Sequence, residues 1–301
     1  MILKKLAEKL PYLRYAAAYR KNSSFHRPGH FYSSVLDLDY IREIKDQLWA
    51  TPKEMKGINL NVDYQVQLLK KMATAFSEMH FAKEKTASQR YYTNNPSFPE
   101  ADALALALMM RHYKPKRIIE VGSGYSSMVM LDVNEQFFDN GIDITFVEPY
   151  PDMMLNKLLT NNDRNTVTVY EQKIQVVDPK IFLALEENDI LFIDNSHVSK
   201  TGSDVNHVFF EVLPYIKKGV VVHIHDIFHQ FIYPQAWVLE YRLNWNEIYT
   251  LRSFLMYNDT FQLEMFVNHL QKENAPMLET ILPGMAEKTG TGGSCWMRKI
   301  K

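Results

Sequence analysis

From residue 117 onward the chain alternates short apolar runs with helix-like stretches, and this rhythm constrains the fold more than any other feature. "RIIEV" (117–121), "IDITFVE" (142–148), "TVTVY" (166–170), "DILFID" (189–194) and "GVVVHIHD" (219–226) read as strands. Between them, "YSSMVMLDVNEQFF" (125–138), "PDMMLNKLL" (151–159) and "DVNHVFFEVLPYI" (204–216) read as helices. Continuous apolar runs are what strands buried on both faces look like, and strand–helix alternation implies a parallel sheet with helices on both sides. Further on, "WNEIYTLRSFLMY" (245–257) reads as a helix, and "TFQLEMFV" (260–267) and "SCWMRKI" (294–300) as two last strands, taken as antiparallel. The expectation is an α/β fold with a doubly wound, mostly parallel, seven-stranded sheet.

Residues 1–99 lack this alternation and are read as an N-terminal helical or lid extension, ahead of a main domain at 100–301. In the extension, Val66, Leu69, Met72, Ala73 and Phe76 have helical spacing within 63–79. The aromatic, turn-rich "RYYTNNPSFP" (90–99) precedes a helix at 100–113, "EADALALALMMRHY". Tyr91–Tyr92 and "FYSSVLDLD" (31–39) are candidates for closing a pocket, or for packing the N-terminal layer.

A 46% hydrophobic fraction supports a real core, and a net charge of -1 excludes an overall electrostatic nucleic-acid binder. With Cys295 as its one cysteine the chain has no intrachain disulfide, which fits a reducing, cytoplasmic setting. No apolar run approaches the ~20 residues that span a bilayer, and the N-terminus reads as neither signal peptide nor transmembrane helix. Residues 1–27 carry seven Lys/Arg against Glu8 alone. That segment reads first as a solvated helix docked on the domain, and second as a weak contact with an anionic membrane surface or a partner.

Gly122 and Gly124 in "IIEVGSGYSS" follow the first strand directly and open a helix. Glycines there permit a tight turn and a close backbone approach to a ligand. A dinucleotide loop would want a third glycine at the helix start, but Ser127 stands there. Glu120, at the end of the strand, would repel a pyrophosphate and suits a cationic amino group. Glu148 ends the second strand, where an acid can accept both ribose hydroxyls.

Strand four ends in Asp194 and strand five in His225 and Asp226. In a doubly wound sheet both ends reach one crevice, so the three residues could hold a divalent cation; two unpaired acids there would otherwise repel each other. Two carboxylates suit Mg²⁺, and an imidazole admits Mn²⁺, Fe²⁺ or Zn²⁺. His197, three residues past Asp194, stands where it could take a proton from a substrate hydroxyl. His223 is read as structural, and His229 carries no assigned role. The segment 235–257 as a whole reads as helical, and within it Trp237, Tyr241 and Trp245 follow a four-residue spacing and read as one helical face, more core-like than a sugar platform.

Taken together, "RIIEVGSGYSSMVMLD", "FVEPYP", "DILFIDNSHVSKTGSDVN", "VVHIHDIF" and "GGSCWMRK" resemble a bacterial group of class I S-adenosylmethionine (SAM) dependent methyltransferases. The resemblance implies a Rossmann-like fold and SAM as cofactor, held by Glu120, Gly122, Gly124 and Glu148. Ser126 and Ser127 are implied at the methionine carboxylate, Ile174 and Gln175 at the adenine, and Asp194 at the cofactor's side of the site. A more distant similarity to metal-dependent sugar O-methyltransferases implies Asp194, His225 and Asp226 as metal positions and His197 as the base. His225 departs from that pattern, since a glutamate is usual at its place. The implied activity is O-methylation of a small-molecule or saccharide hydroxyl, assisted by Mg²⁺ or another divalent cation. The alternatives are a metal-independent methyltransferase and a non-catalytic SAM-fold protein; nucleic acid is not an expected partner, and an oligomer is compatible with the sequence.

Overall fold

The computed structural model describes Ala16, Tyr19, residues 25–50 and residues 54–301. Most of the basic 1–27 segment therefore lies outside the described residues. The chain divides into two units, one of residues up to 52 together with Pro234–Asn244, the other of 53–233 together with 245–301. The reading of the sequence places a boundary at 99/100 instead.

In the first unit a short helix, Leu38–Glu43, is capped by Asp37, whose side chain accepts from the backbone N–H groups of Asp39 and Tyr40. A second short helix spans Lys45–Trp49, and a third Gln235–Leu239. The Leu36 N–H donates to the Asn244 side chain at 3.0 Å.

The second unit holds a seven-stranded sheet: β1 (Arg117–Val121), β2 (Asp143–Val147), β3 (Val167–Tyr170), β4 (Ile190–Ile193), β5 (Val221–Ile224), β6 (Phe261–Phe266) and β7 (Cys295–Lys299). The order is β3-β2-β1-β4-β5-β7-β6. The first five strands are parallel, and β7 runs antiparallel between β5 and β6. The apolar runs of β4 and β5 are buried throughout, as their sequence requires. Strand order reverses between β1 and β4, and a crevice opens beyond the carboxyl ends of such a pair.

Four helices frame the sheet and are used below: α1 (Val62–Phe76), α2 (Glu100–Tyr113), α3 (Tyr125–Phe138) and α4 (Glu247–Leu255). Helix α2 is apolar around most of its circumference and is accordingly buried. It ends where Lys114 turns left-handed, one residue before Pro115, which cannot continue a helix. Buried Asp102 on α2 accepts from the N–H groups of Gly293 and Ser294, each at 2.9 Å, and so ties the helix to the start of β7. Helix α1 packs on α2 and β6; its buried Gln65 accepts from the Phe266 N–H at 2.7 Å.

Three helical expectations are corrected. Of 151–159, only Leu155–Leu158 is α-helical. In 204–216, an α-turn at Asp204–His207 passes into a π-helical turn at Val208–Val212. The stretch 235–257 is two helices, Gln235–Leu239 and α4, because Arg242 adopts a positive φ of 58° between them. Trp237, Tyr241 and Trp245 thus do not form one helical face. Among the described residues, no helix is long and apolar enough to cross a membrane.

Candidate active site

The crevice beyond β1 and β4 is a cavity of about 720 Å³, within the range of small-molecule and cofactor sites. Its walls come from the β1–α3 loop, the segment after β2, the turn after β3, the segment after β4 and, at Ser97 and Phe98, the stretch before α2.

The β1–α3 loop is clamped by backbone. The Gly122 N–H donates to Val147 O at 3.0 Å, and the Asp194 N–H to Val121 O at 2.9 Å. Gly122 has a φ of +94°, and a Cβ there would stand 1.8 Å from the carbonyl oxygen of Asp194. Only glycine fits that combination. A Cβ on Gly124 would meet nothing within 4 Å, so this part of the loop faces open space.

Glu120 is 0% exposed and does not itself line the cavity. Ser126 and Ser127 both donate their hydroxyl protons to its carboxylate. These two serines, expected at the cofactor's carboxylate, are therefore committed within the protein; Ser126 also lines the cavity. Burial pushes the Glu120 carboxyl up to about 8 against the pull of the two serine hydroxyls, and the nearby charges of Asp194 and Glu148 add to the rise.

Glu148, just past β2, lines the cavity and accepts from the Ser123 hydroxyl at 2.8 Å and the Tyr150 N–H at 2.7 Å. After β3, Ile174 is buried and Gln175 donates from Nε2 to Gly202 O at 2.9 Å. The other end of that amide, Oε1, is buried without a partner. Such an orphaned acceptor on a cavity wall calls for a ligand that brings its own N–H. The exocyclic amine of an adenine is a donor of that kind, so these residues fit an adenosine-containing cofactor.

The Tyr91–Tyr92 pair separates. Tyr91 is buried, donating to Phe98 O at 2.8 Å, and belongs to the core. The Tyr92 hydroxyl lies 2.9 Å from that of Tyr125, which lines the cavity.

Beyond β4 and β5 the charged residues gather. His197 Nε2 lies 3.3 Å from Asp194 Oδ1 and 3.3 Å from Asp226 Oδ2. Its Nδ1 lies 2.8 Å from Glu247 Oε2, and its ring packs on Trp245 with centroids 4.4 Å apart. Asp194, His197 and Asp226 each offer one ligand atom within 4.8 Å of the others, the one such trio among the described residues. His225, expected as the third ligand, stands outside that trio. Its Nε2 lies 3.7 Å from Asp226 Oδ1, its Nδ1 is buried without a partner, and its ring lies against Phe98 at 5.2 Å. Side chains leaving a strand alternate in direction, and His197, arriving from the β4 loop, fills the place beside the two acids.

The electrostatics follow from this crowding. Burial works against charge on His197, yet its contacts with Asp194, Glu247 and Asp226 hold the imidazole's pKa well above its usual value. Asp226 is shifted up by burial and by the charges of Asp194 and Asp102, with His225 and His197 opposing. Asp194 is shifted down: burial opposes, but His225 and the His197 contact prevail. His225 is shifted up, against its burial, by Asp226, Asp194 and Asp102. His223 is structural, as expected: burial holds it well below the usual range, its ring stacks on Phe192 at 3.7 Å, and Nε2 meets Ser294 Oγ at 3.1 Å.

Reading the sequence missed Glu247 and Asn246, and took Trp245 for part of a core-like helical face rather than a partner of His197. The available signal was "WNE" at the start of a helical pattern, an Asn cap followed by a first-turn acid. Nothing in that signal points to a histidine in another loop.

A family model described as "Methyltransferase domain" matches residues 119–227, which span the glycine loop, both acidic strand ends and His197. A protein of Archaeoglobus fulgidus, described as uncharacterized, is 35% identical over 181 residues, covering 58% of this chain and 81% of its own length. Similar solved structures include an SAH-bound Podospora anserina methyltransferase (15% identity, TM-score 0.44, 87% of this chain and 96% of that one). Another is an O-methyltransferase from Bacillus cereus in complex with SAH (14% identity, TM-score 0.41, 87% and 97%). The strand order and the family match lead to one conclusion: residues 119–227, at the heart of the sheet, match a methyltransferase domain.

Proposed function

We propose that the protein transfers the methyl group of SAM to a hydroxyl of a small molecule or sugar. The observation that carries this reading is the position of His197 Nε2, 3.3 Å from both Asp194 and Asp226, at the end of the strand whose Asp194 also lines the cofactor cavity. A base at that place has a proton to receive only if the acceptor carries one, as a hydroxyl does.

In this reading Glu148 accepts from the ribose hydroxyls, Gln175 Oε1 accepts from the adenine amine, and Ile174 packs beneath the ring. Gly122 and Gly124 let the backbone approach the methionine part, and Glu120 balances its ammonium charge. SAM supplies a methyl group on a sulfonium, an electrophile that needs alignment more than activation. Asp194 and Asp226 would hold a divalent cation, which lowers the pKa of a coordinated hydroxyl. His197 Nε2, 3.3 Å from both acids, would take the hydroxyl proton in its neutral form.

A metal-independent methyltransferase is the second reading, and one observation favours it. A protonated His197 already compensates Asp194 and Asp226 without any cation. Methyl transfer from SAM to a panel of vicinal-diol sugars and phenols, read as SAH formation with and without EDTA, separates the two. Turnover lost with EDTA and restored by Mg²⁺ or Mn²⁺ supports the first reading. Turnover indifferent to EDTA supports the second, and no turnover on any hydroxyl acceptor, with amine acceptors methylated, contradicts O-methylation.

A further inference from the structure

We infer that Glu247 is the positioning residue of the site: it fixes the ring of His197 so that Nε2, and not Nδ1, faces Asp194 and Asp226. The inference rests on the reading of His197 as the reactive base.

The cradle comes from three consecutive residues. The Trp245 ring lies against the imidazole at 4.4 Å. The backbone N–H groups of Asn246 and Glu247 both donate to His197 O, at 3.0 and 3.1 Å. The Asn246 side chain accepts from the Ser199 N–H and donates to Ser199 O at 3.1 Å, pinning the loop two residues further on. The Glu247 carboxylate accepts from His197 Nδ1 at 2.8 Å through one oxygen and from Asn195 Nδ2 at 3.2 Å through the other.

Each feature demands the next. His197 has a left-handed backbone, φ +57°, which a non-glycine residue keeps only when its surroundings hold it. The N–H groups of Asn246 and Glu247, at the start of α4, do so. Glu247 is 0% exposed, and a buried carboxylate is tolerable only when paired. Its partners are both in the loop after β4, and it sits in the first turn of α4, where the helix dipole favours a negative charge. A carboxylate can only accept from Nδ1, so Nδ1 carries a proton, and Nε2 is the nitrogen turned toward the two acids. Residue 247 thus sets both the rotation of the ring and which nitrogen is held by a protein acceptor, without lining the cavity.

The test is a long-range ¹⁵N–¹H spectrum of the full-length protein labelled at histidine, with SAH titrations run in parallel. The assignment predicts a downfield Nδ1–H resonance that disappears in His197→Asn. It is lost in Glu247→Ala and retained but moved upfield in Glu247→Gln, whose neutral amide oxygen is a weaker acceptor. The SAH dissociation constant stays within about twofold of the parent in both variants. An Nδ1 without a proton in the parent protein, or a resonance unmoved in Glu247→Ala, overturns the assignment. Should Glu247→Ala fail to fold, Glu247→Gln decides alone, an unmoved resonance being the contrary result. The ring signature appearing in a protein that does not bind SAH would contradict the proposed function and leave the role of Glu247 standing.

Discussion

The carbonyl oxygen of Asp194 lies 1.8 Å from where a Cβ on Gly122 would stand. The glycine loop after β1 and the acidic end of β4 are therefore in direct backbone contact. Gly122→Ala must part them and also strains a φ of +94°, at a cost of order 1–3 kcal/mol for the strain alone. Its melting temperature should fall by several degrees and its SAH affinity by at least about tenfold. Gly124→Ala, with open space around the new methyl group, should keep the parent melting temperature. Equal thermal unfolding of Gly122→Ala and parent would show that the loop is not held as described.

Glu120 gives the site a pH dependence with a definite sign. Burial raises its folded-state pKa to about 8, above the ~4.3 of an unfolded glutamate. Between these values the folded protein holds a proton that the unfolded one lacks, so this group's contribution to stability falls as pH rises through the window. An ammonium bound nearby lowers the pKa again. SAH binding at pH 7 should therefore release a proton, and affinity should rise from pH 6 toward 8. Calorimetry in buffers of different ionisation enthalpy measures the release. Glu120→Gln should abolish it and flatten the stability profile; an unchanged proton count in that variant would exclude Glu120.

Asp226 has a positive φ of 58°, which asparagine tolerates better than most residues. Asp226→Asn therefore removes charge with little backbone strain. Mn²⁺ titrated into the full-length protein should bind at least about tenfold more weakly in this variant, a loss that even outer-shell changes reach at metal sites. Equal Mn²⁺ affinity in both proteins would place the cation away from the two acids.

Arg90 bridges Asp132 at 2.9 Å, Asp163 at 2.7 Å and Glu135 at 2.8 Å. Asp132 and Asp163 are buried, and Arg90→Ala leaves both without their cation. Removing one partner of a buried pair costs about 3–5 kcal/mol. Urea unfolding should show a loss of that size, while a change below about 0.5 kcal/mol, typical of surface positions, would mean that water replaces the guanidinium.

The limits of Glu100–Tyr113 and Tyr125–Phe138 were legible to the residue, because Pro99 and Pro115 bracket the first and Gly124 precedes the second. Period alone overextended 235–257, since apolar spacing carries no sign of the positive φ at Arg242. Asp194, His197 and Asp226 were legible because strand ends in an α/β sheet converge on one crevice. The exchange of His197 for His225 beside the acids was not, because it depends on which way each ring turns. Glu247 lies 50 residues from its histidine, and a pairing at that range is set by how α4 docks rather than by any local pattern. The committed hydroxyls of Ser126 and Ser127 escaped notice for a similar reason, since the burial of Glu120 is a tertiary fact.

The central claim is that this cavity holds SAM, and titration of the purified full-length protein with SAH, followed by calorimetry, tests it most directly. The account predicts binding in the micromolar range that Glu148→Ala weakens at least about a hundredfold, the size expected when two charge-assisted hydrogen bonds are lost. Absence of binding by a folded protein, or binding indifferent to Glu148→Ala, would contradict it.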